Sequence, residues 1–157
     1  MTLRSLSFGN TRDGWAVGDA GVIVGTHDRG VSWFIVQPAV TGVNLLGVFT
    51  RSTTVADAVG DNGTAPRTVV TVPPDSVDWE LRNTGNSYDL RSVFFVNDLV
   101  GVAVGTNGGI NAAARTTNGG INWSTQNVPT GFRLNKVYFI DEMRGWTVGS
   151  SGSSCTR

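Results

Sequence analysis

Apolar and polar positions along this chain form short alternating segments separated by turn-forming residues. The first 36 residues contain four such segments: Leu3 to Phe8, Trp15 to Gly18, Val22 to Thr26, and Ser32 to Val36. Each contains β-branched or aromatic residues and is bounded by Asn, Asp or Gly, as is typical of β-strands joined by tight turns. The pattern predicts a small four-stranded antiparallel sheet.

The same pattern returns along the chain at a nearly constant interval. The glycine that closes the second strand recurs in steps of 42, 45 and 44 residues, at Gly18, Gly60, Gly105 and Gly149. A series of tryptophans keeps the same register, at Trp33, Trp79 and Trp123. Four strands in a repeat of this length are the signature of a β-propeller blade.

We therefore expect an all-β fold, a β-propeller-type array of four-stranded antiparallel blades. Residues 1–157 are expected to form a single domain, with repeats at 3–39, 45–82, 90–127 and 134–150. The last repeat lacks its third and fourth strands, so the array has about three and a half blades. Because the N-terminus begins directly with a first strand and cannot complete the last blade, the sequence predicts an open arc with an exposed edge near Trp146.

The first strand of each repeat is apolar on both sides. Strict alternation places Leu6 and Phe8 on one face and Leu3 on the other, and it places Leu90 opposite Val93 in the third repeat. Such strands need apolar neighbours on both faces. Blades stacked face to face provide those neighbours.

Composition and charge narrow the range of partners and chemistry. Twelve basic side chains balance twelve acidic ones, which argues against nucleic acid or an anionic membrane as partner.

A single cysteine, Cys155, forms no internal disulfide, and a single histidine, His27, builds no metal site alone. Asp57 and Asp61 are interpreted as turn residues in preference to a cation site. No apolar run is long enough to span a membrane, and no leader opens the chain. No metal or cofactor is expected.

Two elements of the repeat match a known consensus. Residues Gly14 to Gly18 read G-W-A-V-G, and residues 26–33 and 116–123 read T-H-D-R-G-V-S-W and T-T-N-G-G-I-N-W. These elements resemble the repeat of the photosystem II stability and assembly factor family, and the second is similar to the Asp box of bacterial neuraminidase repeats. The second repeat keeps Trp79 but loses the glycine. The resemblance implies a larger propeller of about seven blades, of which this chain is a fragment or one half. It also suggests an extracytoplasmic compartment, which the sequence itself leaves unknown.

The Asp box has a physical explanation as a turn. An Asp or Asn at its start accepts backbone N–H groups, a Gly adopts positive φ, and a Trp covers the turn. We therefore assign structural roles to the box residues Asp28, Gly30, Trp33, Asn118, Gly120 and Trp123.

Hydrolytic activity is the main alternative that the Asp box raises. A sialidase needs a Tyr/Glu nucleophile pair, three arginines and an acid/base Asp. The tyrosines and glutamates of this chain lie outside any context that resembles such catalytic strands; they are Tyr88, Tyr138, Glu80 and Glu142. No catalytic residue is assigned. A carbohydrate-binding or hydrolytic module and a truncated fragment without independent function remain the alternatives.

A basic surface is the best candidate for binding. Strand direction gathers one lysine and four arginines near the starts of successive first strands: Arg4, Arg82, Arg91, Arg133 and Lys136. The family resemblance implies that such a patch faces a protein partner, possibly a membrane protein or its assembly intermediate. The equivalent positions in the second and fourth repeats are Leu46 and Asn135, so solvated arginines that balance the acidic residues are the alternative. The sequence thus favours a non-catalytic protein-binding or assembly scaffold, with self-association through the open edge as a further possibility.

Overall fold

Four antiparallel sheets follow one another along the chain. The computed structural model describes residues 1–37, 39–71, 76–128, 131, 133–150 and 154–156. The first sheet, blade 1, consists of β1 (Leu3–Phe8), β2 (Gly14–Gly18), β3 (Ile23–Thr26) and β4 (Phe34–Ile35). Blade 2 consists of β5 (Leu45–Thr50), β6 (Ala56–Gly60), β7 (Arg67–Thr71) and β8 (Ser76–Glu80).

In blades 3 and 4 the strands again follow one another in the order of the sequence. Blade 3 consists of β9 (Asp89–Phe95), β10 (Gly101–Asn107), β11 (Ile110–Thr116) and β12 (Ser124–Gln126). Blade 4 consists of β13 (Leu134–Phe139), β14 (Gly145–Gly149) and β15 (Ser154–Thr156). The first strands contact one another in succession, β1 with β5, β5 with β9, and β9 with β13. This arrangement, with first strands innermost, confirms the predicted β-propeller-type array.

The last blade is more complete than the sequence indicated. We expected it to end after its second strand, but β15 pairs with β14, and Cys155 lies opposite Thr147. An unpaired strand edge exposes a row of N–H and C=O groups, and a short third strand satisfies them. Among the described residues blade 4 therefore has three strands, and its fourth is missing.

Each first strand contains a β-bulge at the same position. The register between first and second strands shifts once in every blade, at Arg4, Leu46, Arg91 and Asn135. A bulge adds one residue and returns the following side chains to the face of the preceding ones. For this reason the expected placement of Leu90 opposite Val93 is wrong: both lie in one buried cluster.

The core lies between blades. Between blades 1 and 2, a buried cluster joins Trp15, Val17 and Ile23 to Leu45 and Val48. Equivalent clusters lie between blades 2 and 3 and between blades 3 and 4. Blades 2 and 3 therefore bury both faces against their neighbours, and blades 1 and 4 each bury one face, which is how a propeller is stabilised.

The two ends of the arc remain uncovered. Trp146 is 41% exposed, whereas Trp15, at the same position of blade 1, is 2% exposed. At the other end Leu6 and Phe8 are exposed, although their counterparts Val93 and Phe95 are buried. The predicted open arc with an edge near Trp146 is confirmed. Within the described residues, no helix has the length and apolar character needed to cross a membrane.

Candidate functional site

The two Asp-box turns are built by the same hydrogen bonds. In blade 1 the Thr26 hydroxyl donates to Asp28 Oδ1 at 2.8 Å and accepts from Gly30 N at 2.9 Å, while Ser32 N donates to Asp28 Oδ1 at 2.9 Å. In blade 3 Thr116, Asn118, Gly120 and Asn122 repeat these contacts, at 3.0, 2.9 and 2.9 Å. Both boxes link the end of the third strand to the chain that leads into the fourth.

The glycines of the box adopt the backbone conformation that the turn requires. Gly30 and Gly120 have φ values of +83° and +85°. The preceding residue is also left-handed in both turns, although it is Arg29 in blade 1 and Gly119 in blade 3. Glycine reaches this region without the steric cost of a Cβ.

The box carboxylate is strongly stabilised in its charged form. The Ser32 hydroxyl donates to Asp28 Oδ2 at 2.5 Å, and this hydrogen bond, with those from Ser32 N and Thr26, lowers the pKa of Asp28 to about 2. All of these donors belong to the turn itself. A group held this way acts as a hydrogen-bond acceptor and not as a proton donor near neutral pH.

The box tryptophans pack against phenylalanines at equivalent repeat positions. Trp33 packs edge-on against Phe8, with ring centroids 6.3 Å apart, and Trp123 packs edge-on against Phe95 at 6.0 Å. Trp33 Nε1 donates to the Gly30 carbonyl at 3.1 Å, whereas Trp123 Nε1 has no acceptor among the described residues. The corresponding tryptophan of the second repeat, Trp79, is buried. The residues that precede it in the degenerate box of that repeat, Pro73, Pro74 and Asp75, lie outside the described part of the chain.

The arginines of the predicted binding surface have different environments. Arg4 Nε donates to Asp19 Oδ1 at 2.5 Å, and Arg82 Nη2 donates to Glu80 Oε2 at 2.8 Å. Arg91 is half-buried at the bulge of β9, and its Nε has no hydrogen-bond partner among the described residues. Two of the five predicted residues are thus paired within the chain, while Arg91 has an unsatisfied donor.

Arg133 and Lys136 are exposed at the start of the last blade. Arg133 precedes β13 and lies near Gly109 of blade 3: a Cβ atom added at Gly109 would be 3.8 Å from Arg133 Nη2. Lys136 is a residue of β13 and lies opposite Val148 of β14. Ser5 and Ser92 occupy the same register position in blades 1 and 3. That position faces the following blade, because Ser5 Oγ accepts from Val48 N and Ser92 Oγ accepts from Val137 N. By this repeat equivalence Lys136 belongs to the open end of the arc more than to the arginine surface.

Sequence reasoning missed a buried ion-pair network between blades 2 and 3. Arg51 Nε donates to Asp57 Oδ2 at 2.9 Å, and Arg67 Nε lies 3.9 Å from Asp57 Oδ1. Arg51 and Arg67 also donate to backbone carbonyls of blade 3, those of Asp98 and Gly119. The Arg51 guanidinium lies 4.1 Å from the centre of the Phe95 ring. The network therefore ties the two blades together with charge-assisted hydrogen bonds.

Asp57 is a strand residue, contrary to its interpretation as a turn acid. It occupies in β6 the position that Trp15 has in β2, and it is buried. Desolvation outweighs the attraction of Arg51 and Arg67 and raises the pKa of Asp57 to about 6. The available signal was the replacement of Trp by Asp within an otherwise apolar strand, because a charge in that setting needs a partner.

The candidate hydrolase residues make separate contacts. Tyr138 packs on Phe94, and Tyr88 packs against the cluster between blades 2 and 3. Glu142 accepts from Asn97 Nδ2 at 2.6 Å, and Glu80 pairs with Arg82. Among the described residues no hydrogen bond joins a tyrosine hydroxyl to a glutamate, and no group of three His, Cys, Asp or Glu is positioned to hold a metal. The structure thus offers these residues no shared site.

Solved structures provide the comparison with known proteins. The chain is similar to YCF48 from Cyanidioschyzon merolae, with a TM-score of 0.76 and 17% identity over 98% of this chain and 49% of that one. It is also similar to YCF48 bound to D1 peptide, with a TM-score of 0.62 and 17% identity over 99% of this chain and 64% of that one. No family model and no curated protein matches the chain.

These likenesses concern the fold. The chain spans between about half and two thirds of the length of the two YCF48 chains. YCF48 is a photosystem II assembly factor, so the propeller fold that the resemblance of the repeats implied is confirmed by the comparison of structures. The chain has the fold of a photosystem II assembly factor-like β-propeller, of which it forms an open arc.

Proposed function

We propose that this chain is a non-catalytic protein-binding scaffold whose basic surface receives a segment of a partner protein. The observation that carries the proposal is the placement of two arginines, half-buried Arg91 and exposed Arg133, at the starts of neighbouring first strands. Guanidinium groups placed in this way are hydrogen-bond donors for a carboxylate or a backbone carbonyl of a partner.

The arginine surface suits recognition of a peptide. Planar guanidinium groups bind carboxylates and carbonyls with two parallel hydrogen bonds, which adds geometric specificity to charge. Successive first strands of a propeller run in one direction, and this geometry would bring Arg4, Arg91 and Arg133 to one face of the arc. Arg4 is paired with Asp19 at the surface, and such exposed pairs exchange partners at little cost.

The comparison with YCF48 supports this class of partner. One of the similar structures is described as bound to D1 peptide. At 17% identity the likeness extends to the fold, so a peptide ligand for this chain is a proposal and D1 peptide is the first probe to use. An assembly role toward a membrane protein follows only if such binding is found.

The test is a binding titration with two charge-matched triple variants. Labelled D1 peptide is titrated with the unaltered chain, with Arg4→Glu/Arg91→Glu/Arg133→Glu, and with Arg12→Glu/Arg29→Glu/Arg144→Glu. The second set changes net charge equally, but its exposed arginines lie in the turns at the opposite ends of the first strands. We expect the first set to lose binding by at least about tenfold and the second to retain it.

Binding that is equal in both variants contradicts the arginine surface as the site. Absence of binding to the unaltered chain contradicts D1 peptide as its ligand. Because Arg91 is half-buried, Arg91→Gln serves as a milder substitution, and thermal unfolding verifies that each variant is folded.

A further inference from the structure

We propose that two copies of this chain associate head to tail and close into one ring of blades. The binding surfaces are the two open ends of the arc. The leading face consists of Leu3, Leu6 and Phe8 of blade 1, and the trailing face consists of Tyr138, Trp146 and Val148 of blade 4. This inference is independent of the proposed peptide-binding function.

The leading face has the same residue positions that are buried between blades elsewhere in the chain. Leu3 is 44% exposed and Leu6 is 57% exposed, whereas their counterparts in blade 2, Leu45 and Val48, are 0% and 7% exposed. Leu45 and Val48 are buried against Trp15 and Val17 of the preceding blade. In blade 1 the same positions have no preceding blade within the chain.

The trailing face has the residue positions that lie on the other side of such an interface between blades. Val148 is 49% exposed, whereas Val17, its counterpart in blade 1, is fully buried. Trp146 corresponds to Trp15, and Tyr138 corresponds to Phe49 and Phe94 of the internal blades. Every internal blade has one aromatic residue and a valine at these three positions, and the trailing face has two aromatic residues and a valine.

A second copy is the occupant that this pattern specifies. The contact needed is the one that joins blade 1 to blade 2, with Leu3 and Leu6 in place of Leu45 and Val48. Burial of large apolar side chains such as these favours association. A closed pair forms two such junctions, while the entropy of association is lost only once.

The size of the arc agrees with closure by two copies. A head-to-tail interface forms a ring if its rotation closes and an open filament if it does not. Propellers close with about four to eight blades, and two chains of four sheets supply a number within that range. The chain covers 49% of the YCF48 chain, so two copies together account for a comparable length.

One residue beside the trailing face, Lys136, opposes the junction. At the internal junctions, Ser5 Oγ accepts from Val48 N and Ser92 Oγ accepts from Val137 N, at 3.2 and 3.3 Å. Lys136 occupies the corresponding position in blade 4 and has no acceptor to offer. Replacement of Lys136 by serine restores the repeat pattern and is expected to strengthen the association.

The experiment measures the mass of the full chain by analytical ultracentrifugation over a range of concentrations. We expect a concentration-dependent shift from 16.6 kDa to about twice that mass. Leu6→Asp and Trp146→Asp, one on each face, should each remain at the monomer mass. Lys136→Ser should move the transition to lower concentration. Ile121→Asp is the matched control, because Ile121 is as exposed as Leu6 but lies in a turn of blade 3.

A mixture of the two monomeric variants identifies the orientation. Leu6→Asp retains an intact trailing face and Trp146→Asp retains an intact leading face, so the mixture should form a dimer through one junction. A monomer at every concentration, association that survives Leu6→Asp, or growth to large polymers would each overturn the proposed ring. Circular dichroism confirms that the variants are folded, and their substituted side chains are partly exposed in the single chain.

Discussion

Trp15 of blade 1 and Trp79 of blade 2 meet edge to face, with ring centroids 5.3 Å apart and ring planes inclined by 85°. Both side chains are buried in the cluster between these blades. Aromatic pairs in this geometry contribute about 0.5–1.5 kcal/mol beyond their burial. The stability of the arc therefore depends on contacts between sheets that are far apart in sequence.

Truncation of Trp15 should be far more damaging than truncation of its counterpart in blade 4. We expect Trp15→Ala to lower the free energy of unfolding by about 3–5 kcal/mol, because it removes a buried aromatic ring. Trp146→Ala, at the exposed equivalent position, should cost less than about 1 kcal/mol. Urea unfolding at protein concentrations low enough to keep the chain monomeric measures both. Equal losses would contradict the difference in burial between the two positions.

The glycine that closes each second strand should not accept a side chain. A Cβ at Gly60 would lie 2.0 Å from the Asn44 carbonyl oxygen, and Asp61 N donates to that same oxygen at 3.0 Å. Gly60→Ala should therefore lower the free energy of unfolding by about 3 kcal/mol, because backbone must move to relieve the clash. Gly42→Ala is the control, since no atom lies within 4 Å of a Cβ there. A loss at Gly42 as large as at Gly60 would refute the steric explanation.

Deprotonation of Asp57 should lower the free energy of unfolding as the pH rises from about 4 to about 6. Desolvation raises its pKa to about 6 in the folded chain, above the value of an unfolded aspartate, so the folded state binds the proton more tightly. The stabilisation is complete below the unfolded pKa and is lost as pH rises through the folded one. A shift of this size corresponds to about 3 kcal/mol.

The control for Asp57 is a variant that does not titrate. Asp57→Asn cannot titrate and should abolish the decline between pH 4 and pH 6. Above this range, where Asp57 is charged, the variant also leaves Arg51 without its charged partner. The measurement is the free energy of unfolding in urea at closely spaced pH values. Parallel profiles for the two chains would show that Asp57 does not titrate in this range.

Protonation of Asp28 should lower the stability of the chain at a more acidic pH, and in this case stability is lost as the pH falls. Hydrogen bonds from Ser32 lower its pKa to about 2, so its contribution is present above the unfolded pKa and is lost as pH falls from about 4 toward 2. Asp28→Asn should preserve the turn, because Asn118 makes the same bond in blade 3, and should remove this acid dependence. Asp28→Ala should lower the unfolding temperature at neutral pH more than Asp28→Asn does. Identical melting of the two variants would exclude an acceptor role.

The repeat pattern was sufficient to predict the blades because each signal is local. Turn residues, β-branched runs and the spacing of Gly18, Gly60 and Gly105 specify strands and their order within a few tens of residues. The Asp-box geometry also follows from neighbouring residues, since Asp28 bonds to Thr26 and Ser32 of its own turn. Such features need no knowledge of the rest of the fold.

Other features of the site involve residues from different blades and were not predictable in this way. The bulge at Arg91 shifts Leu90 to the same face as Val93, which strict alternation did not show. The pairing of Arg51 with Asp57 brings a loop arginine to a strand carboxylate, and both reach toward blade 3. The third strand of blade 4 forms from a Ser-rich segment without strong β-propensity, because an unpaired edge lies beside it.

The amino-acid sequence by itself determined the repeating unit, the strands in each unit and the turns that join them, because local propensity and side-chain periodicity act over short stretches. Tertiary structure alone decided which equivalent residues are buried. Leu45 and Leu3 are the same residue type at the same repeat position, yet only Leu45 has a preceding blade to cover it. Burial and the pKa of Asp57 depend on what lies across the gap between sheets, and that is a property of packing.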